Sequence, residues 1–253
     1  MSLLFAYSGV KIRLNQSLVA FMARSEVPAA NLGLGCYEGA DAQLIRDPAG
    51  AGLVPGFIDG STQACGLLLA CQGKAADQPG AVAHAGGLAN CQPFTRELMG
   101  VVHLFAMQGE LQGLGDSRAF PTGVYTPIGD TSAERAFCVL MSRLRVLWQE
   151  DTPLPEVRLA VVSDFAARLR PLGLANFIYA DSELLFVHGH QQADDPERPG
   201  LFLAHSDGGV RVASQPLDTA DWQGLEPGEV LMIKGAEVLE RCAPFKLWSQ
   251  LSD

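Results

Sequence analysis

No apolar run in this 253-residue chain approaches the ~18–20 residues that a membrane-spanning helix needs. Cationic side chains are scarce, with 18 Lys and Arg against 28 Asp and Glu and a formal net charge of −10. An acidic chain repels phosphate backbones, and no basic cluster offsets this locally, so neither nucleic acid nor membrane is an expected partner. The arginines of RLRPLG, Arg168 and Arg170, fit the polar side of a helix end. There is no CxxC pair. The cysteines (Cys36, Cys65, Cys71, Cys91, Cys138 and Cys242) do not cluster with histidines, which argues against a zinc site. The opening MSLLFAYSGV lacks a basic n-region and a cleavage site, so it reads as a buried strand rather than a signal peptide. The expectation is a cytoplasmic protein whose thiols are reduced and act as small hydrophobes. Also missing are a GxSxG elbow and a glycine loop between strand and helix; HAGGLA and SDGGV read as turns.

What is present describes a globular chain, 48% hydrophobic and 18% charged. SLLFAYS and CGLLLACQ are short apolar runs of the kind found in strands buried on both faces. NQSLVAFMARSE carries Leu18, Phe21 and Met22 at helical spacing, with Asn15 as expected N-cap. LGLGCYEG and AQLIRD predict a strand pair across a Gly-Ala-Asp turn, and residues 73–89 read as a surface loop. VVHLFAMQG predicts a further strand. The strongest helix signal is DTSAERAFCVLMSRLRVLWQE, where Ala133, Phe137, Leu140 and Leu144 share a face and Thr131 with Glu134 forms a capping box. LPEVRLAVVSDFAARLRPLG predicts a second helix ending at Pro171 or Gly173. Beyond it come ANFIYAD, SELLFVHGH, GLFLAHS, GVRVASQ and GEVLMIKG, strands separated by turn residues. Strands, then central helices, then strands argue an α+β architecture.

Two features draw separate notice. His188 and His190 would share one face of a strand as metal ligands can, but no third ligand accompanies them, so strand-end polarity is the expectation and no metal is assigned. Ser2 follows the initiator Met. Removal of Met1 would leave its hydroxyl beside its own α-amine, a group that titrates near neutrality and can act as base for the adjacent nucleophile.

Several segments in order, LGLGCYEG with IRDP, ACQGKAA, NCQPFTREL, LFAMQGEL, GDTSAERAF, and VASQPLDTADWQGLEPGEVLMI, resemble the class II glutamine amidotransferases, specifically their small stand-alone branch. The resemblance runs through nearly the whole chain. It implies one domain over 1–253, with the four-layer αββα sandwich of N-terminal-nucleophile hydrolases and no cofactor. It also implies a short set of chemical positions, most of them altered here. The nucleophilic cysteine is Ser2. The arginine that forks onto the glutamine α-carboxylate is Gly73, beside Lys74. The Asn-Gly oxyanion tip reads Met107-Gln108-Gly109. The histidine of the Pro-Phe corner is Gln92, the aspartate for the α-amine falls on Ser132 with Asp130 nearby, and the Gly-Trp-Gly segment reads Asn31-Leu32-Gly33. Pro93, Phe94, Arg96, Glu97, Leu111 and Glu134 persist. Two readings follow: a catalytically inactive relative serving as a binding, regulatory or partner subunit, or an N-terminal serine hydrolase acting on another amide. Candidate partners are a protein subunit, a second copy of the chain, or a neutral small molecule in the pocket of Ser2, Gly73, Gln92, Met107, Gln108, Gly109 and Ser132.

Overall fold

The structure is a computed structural model, and it describes residues 2–23, 29–48, 52–60, 64–74, 87–115, 118–149, 151–192, 195 and 197–244. The chain runs β1 (Leu3–Arg13), α1 (Leu14–Ala23), β2 (Ala29–Glu38), β3 (Asp41–Asp47), α2 (Leu53–Gly60), β4 (Ala64–Lys74), β5 (Phe94–Leu98), β6 (Val101–Gln108), α3 (Ser132–Leu147) and α4 (Pro155–Leu169). It continues with β7 (Asn176–Ala180), β8 (Leu185–His188), β9 (Phe202–Ser206), β10 (Gly209–Ala213), β11 (Gln223–Gly224), β12 (Val230–Lys234) and β13 (Glu237–Cys242). All pairings between these strands are antiparallel. They form a seven-stranded sheet in the order β11-β9-β10-β1-β4-β2-β3 and a six-stranded sheet in the order β13-β12-β8-β7-β6-β5.

Strand alternation explains the layers. Along β1, Leu4 and Ala6 point into a core shared with Leu104, Ala106 and Ile178 of the opposite sheet, while Phe5 and Tyr7 pack with Leu18 and Phe21 of α1. A strand covered on both sides needs apolar residues at every position, which is why SLLFAYS reads as a run and not as an alternation. In the second sheet Phe105 and Met107 of β6 turn outward into a core with Phe137, Leu140 and Leu144 of α3 and Phe165 of α4. Helices therefore cover the outer face of each sheet and the inner faces bury one another, giving the α+β, αββα sandwich.

Most predicted elements form where expected. Helix α3 is capped by Thr131, whose hydroxyl accepts from Glu134 N at 3.1 Å. The other half of the capping box is redirected: the Glu134 carboxylate accepts from Ile128 N at 3.0 Å and Gly129 N at 2.7 Å, and pairs with Arg96 at 2.6 Å. Arg96 thus engages Glu134 rather than its neighbour Glu97. Helix α1 starts at Leu14, so Asn15 lies inside it and is not its cap. The stretch read as a loop over 73–89 begins with the last residues of β4, and 75–86 lies outside the described residues. Helix α2, β5, β11 and β13 had no clear sequence signal. β5 meets β6 through Met99 and Gly100, both at positive φ (51° and 78°), the geometry of a two-residue hairpin turn.

The expectation that every cysteine is reduced is corrected. Cys36 of β2 and Cys65 of β4 are buried on adjacent strands with Cα atoms 6.2 Å apart, and they form a disulfide; Cys71, Cys91, Cys138 and Cys242 are free. Sequence spacing could not reveal this pair because neighbouring strands bring it together. Among the described residues no helix is long and apolar enough to cross a membrane.

Charge is buried where it is paired. Arg158 of α4, 1% exposed, bridges to Asp181 at 2.8 Å and Glu183 at 2.6 Å, and Lys234 of β12 reaches Glu183 at 2.7 Å. This ties α4 to the β7–β8 turn. Removing one partner of such a buried pair costs about 3–5 kcal/mol. His103 lies beside it, bonded through Nδ1 to Tyr179 Oη at 2.7 Å.

Two measurements check this description. Ellman titration of the denatured, unreduced protein should count four thiols, rising to six after reduction; the closed loop should contribute about 3–4 kcal/mol to stability. A count of six before reduction would refute the disulfide. The second measurement is pH-dependent. Burial, reinforced by Arg158, pushes His103 down to about 3, and burial does the same to His188. Below pH ~6.5 the unfolded chain takes up a proton at each that the folded chain refuses. The histidine contribution should be level above pH ~7 and fall by about 1.4 kcal/mol per pH unit per histidine between ~6.5 and ~3. The slope should lessen in His103→Gln, as read by urea melts.

Candidate functional site

The residues singled out by sequence converge on one end of the sandwich. Ser2, half-buried, immediately precedes β1, and strand alternation puts it on the inner face with Leu4 and Ala6. Its neighbour Leu3 is registered with Gln72 of β4. Leu4 N donates to Ser214 Oγ at 2.8 Å, anchoring the start of the strand. Gly73, next to Gln72, shares the inner face with Cys71 and Leu69 and is the Cα partner of Asn31 on β2. Gly73 N donates to Asn31 Oδ1 at 3.1 Å.

The facing sheet contributes the end of β6. Gln108 is 2% exposed, on the inner face with Leu104 and Ala106. Its Oε1 accepts from Asn176 Nδ2 at 3.2 Å; Asn176 also donates to Gln191 O at 2.9 Å and accepts from His190 N at 2.6 Å. Gln192 extends this chain of carboxamides, donating to Pro199 O at 3.0 Å and Ser214 O at 3.1 Å. Gly109 has φ 125°, and a Cβ there would run into the Leu174 carbonyl, so both its conformation and its surroundings require glycine.

Other predicted residues play different parts. Met107 does not line the inner groove: alternation along β6 turns it toward α3 and α4, where it is 1% exposed. Gln92 is engaged with that same residue. Its Nε2 donates to Met107 O at 3.0 Å and its Oε1 accepts from Met107 N at 2.6 Å. The Gln92 carboxamide thereby continues the β5–β6 ladder in place of a backbone peptide. Ser132 opens α3, and its Oγ accepts from Leu111 N at 3.3 Å. Asp130 accepts from Asn90 Nδ2 at 2.7 Å and its own N–H donates to Asn90 Oδ1, which places it in an exposed loop contact. The Lys74 side chain and Met1 lie outside the described positions.

Arg46 of β3, the Cα partner of Gly33, donates to Cys91 O at 3.4 Å. Burial pushes the Cys91 thiol up to about 11 and raises Cys71 as well, so neither is a ready thiolate. His188 is fully buried, bonded through Nδ1 to Ala175 O at 2.7 Å, and His190 lies beyond the end of β8 with its pKa lowered by burial and by Arg170. No group of three or more metal-ligating side chains occurs among the described residues. Asn176 was missed in the sequence because it heads an otherwise apolar strand; nothing local distinguishes it. The arrangement can offer a hydroxyl at Ser2 and carboxamide hydrogen bonds from Asn31 and Gln108, the latter held in place by Asn176.

Comparison with known proteins gives this geometry its context. The sequence model of the class-II glutamine amidotransferases matches residues 1–195. An uncharacterized protein of Methanocaldococcus jannaschii, MJ1515, is 23% identical over 255 residues, covering 90% of this chain and 68% of that one. Among solved structures, one described as a predicted glutamine amidotransferase from Pseudomonas aeruginosa superposes with a TM-score of 0.65 at 22% identity, covering 95% of this chain and all of the other. The glutamine phosphoribosylpyrophosphate amidotransferase of Bacillus subtilis superposes with a TM-score of 0.62 at 13% identity; this chain spans 47% of its length. These likenesses establish a shared fold of the N-terminal-nucleophile type. With the sequence match over 1–195, the chain belongs to the class-II glutamine amidotransferase family.

Proposed function

We propose that this protein is a glutamine amidotransferase-like domain, one unit over 1–253, that does not hydrolyse glutamine and serves as a binding, regulatory or partner subunit. The observation that carries the reading is at Gly73. The family resemblance assigns this position to the arginine that grips the substrate carboxylate, and the Asn31 carboxamide stands against its backbone N–H at 3.1 Å. The resemblance assigns the α-amine partner to Ser132, whose hydroxyl accepts from a backbone N–H and carries no charge. Asp130, two residues away in sequence, is engaged with Asn90. An amino-acid substrate is a zwitterion, and without ionic contacts at either end it loses both affinity and orientation. At the oxyanion tip, Gln108 is one methylene longer than the family's asparagine and its carbonyl is held by Asn176. Loss of such a donor alone lowers turnover by roughly 10²–10³. Strand β10, from beyond residue 195 where the family match ends, pairs with β1 at the centre of the first sheet, which supports a single domain. A neutral small molecule suits the groove's composition, and a partner subunit or second copy is the protein-level counterpart.

Protein whose Met1 removal has been verified by intact mass should release no more glutamate from glutamine than Ser2→Ala. Ser2→Cys should stay at the same level, because restoring a nucleophile does not restore the ionic contacts. Ser2-dependent release of glutamate and ammonia would overturn the proposal. Ser2-dependent cleavage of some other amide would instead favour the N-terminal serine hydrolase.

A further inference from the structure

Gly73 is not a glycine for conformational reasons. It is absent from the glycines at positive φ, and it is the Cα partner of Asn31, where the register between β2 and β4 shifts between Ala29 and Asn31. What requires glycine there is space. A Cβ at position 73 would overlap Asn31 Oδ1 and come within 2.8 Å of both Asn31 Cγ and Nδ2. The Asn31 side chain therefore crosses between the strands and lies over the position 73 backbone, accepting its N–H. The two positions form one unit across β2 and β4: a carboxamide on one strand occupies the room that a side chain on the other would need. Two residues along β2, Gly33 is packed so closely against the Gln92 carbonyl that no Cβ would fit, so β2 approaches the other sheet closely here.

We propose that Asn31 is the specificity-determining residue at this end of the groove. Its carboxamide replaces an ionic contact and directs the site to a ligand ending in a neutral hydrogen-bonding group instead of a carboxylate. The inference deepens the binding role given above and rests on it, since it takes the groove headed by Ser2 to be the ligand site. One small and one larger residue can share the space in two ways. The native pair has asparagine on β2 and glycine on β4, and the exchanged pair would have glycine on β2 and arginine on β4. An arginine on β4 opposite the native Asn31 requires the carboxamide to leave its place over the position 73 backbone and give up that hydrogen bond.

The test compares the wild type with Asn31→Gly, Gly73→Arg and the double variant, using thermal melts and calorimetric titration with L-glutamate. Gly73→Arg alone should lower the melting temperature by about 5 °C through overpacking. The double variant should regain most of that loss and acquire saturable L-glutamate binding that the wild type and Asn31→Gly lack. If Gly73→Arg does not fold, Gly73→Ala with and without Asn31→Gly gives the same comparison of stability. Additive effects of the two substitutions, or L-glutamate binding by the wild type equal to that of the double variant, would overturn the inference. Recovery of stability without L-glutamate binding would overturn the specificity role. Ser2-dependent glutamate release by the wild type defeats the inactivity reading while leaving the coupling between positions 31 and 73 intact, so the two failures are distinct.

Discussion

The two hydrogen bonds between the Gln92 carboxamide and the Met107 backbone set the geometry on which the site depends. They hold the entry to β5 against the end of β6, where Gln108 and Gly109 follow directly. The carbonyl of the same Gln92 bears on Gly33 of β2 in the other sheet. One residue thus references both halves of the groove: the strand carrying Asn31 and the strand carrying Gln108. A side chain that takes the place of a backbone peptide in a ladder must match its donor and acceptor, and a carboxamide is the group that can.

The carboxamides at the end of β6 and the start of β7 are polar and neutral, which suits their burial. Gln108 and Asn176 are 2% and 0% exposed, so their carboxamides are stabilised only by being hydrogen-bonded. Two sets of buried ion pairs lie away from them. Arg96 meets Glu134 at the start of α3, and Arg158 meets Asp181 and Glu183 behind the second sheet. Arg96 and Glu134, which the family resemblance retains, serve the scaffold, while the positions it assigns to the substrate are Gly73 and Ser132.

Local signals were legible where local physics governs. Thr131 and Glu134 announced the start of α3, and the apolar face behind them announced its burial. The runs at β1 and β4 announced strands covered on both sides. Legibility failed where a partner decides. β13 is largely exposed and gains its identity from pairing with β12. Cys36 and Cys65 are 29 residues apart and meet only because β2 and β4 are neighbours. Of the pocket residues, Met107 was misassigned because the face it occupies depends on which side of β6 the helices cover. Gln92 reads in the sequence as a lost histidine, and its role in the ladder is visible only once β6 lies beside it.

By itself the sequence determined the fold class and the family, and the resemblance assigns Ser2, Gly73, Gln108 and Ser132 to positions of chemistry. These follow from residue type and order along the chain. The tertiary structure decided what the substitutions mean. Whether Gly73 is an empty place or an occupied one depends on Asn31, 42 positions away in sequence and opposite it in register. Side-chain volume is a property of the residue, but the room available to it belongs to the neighbours that strand pairing supplies.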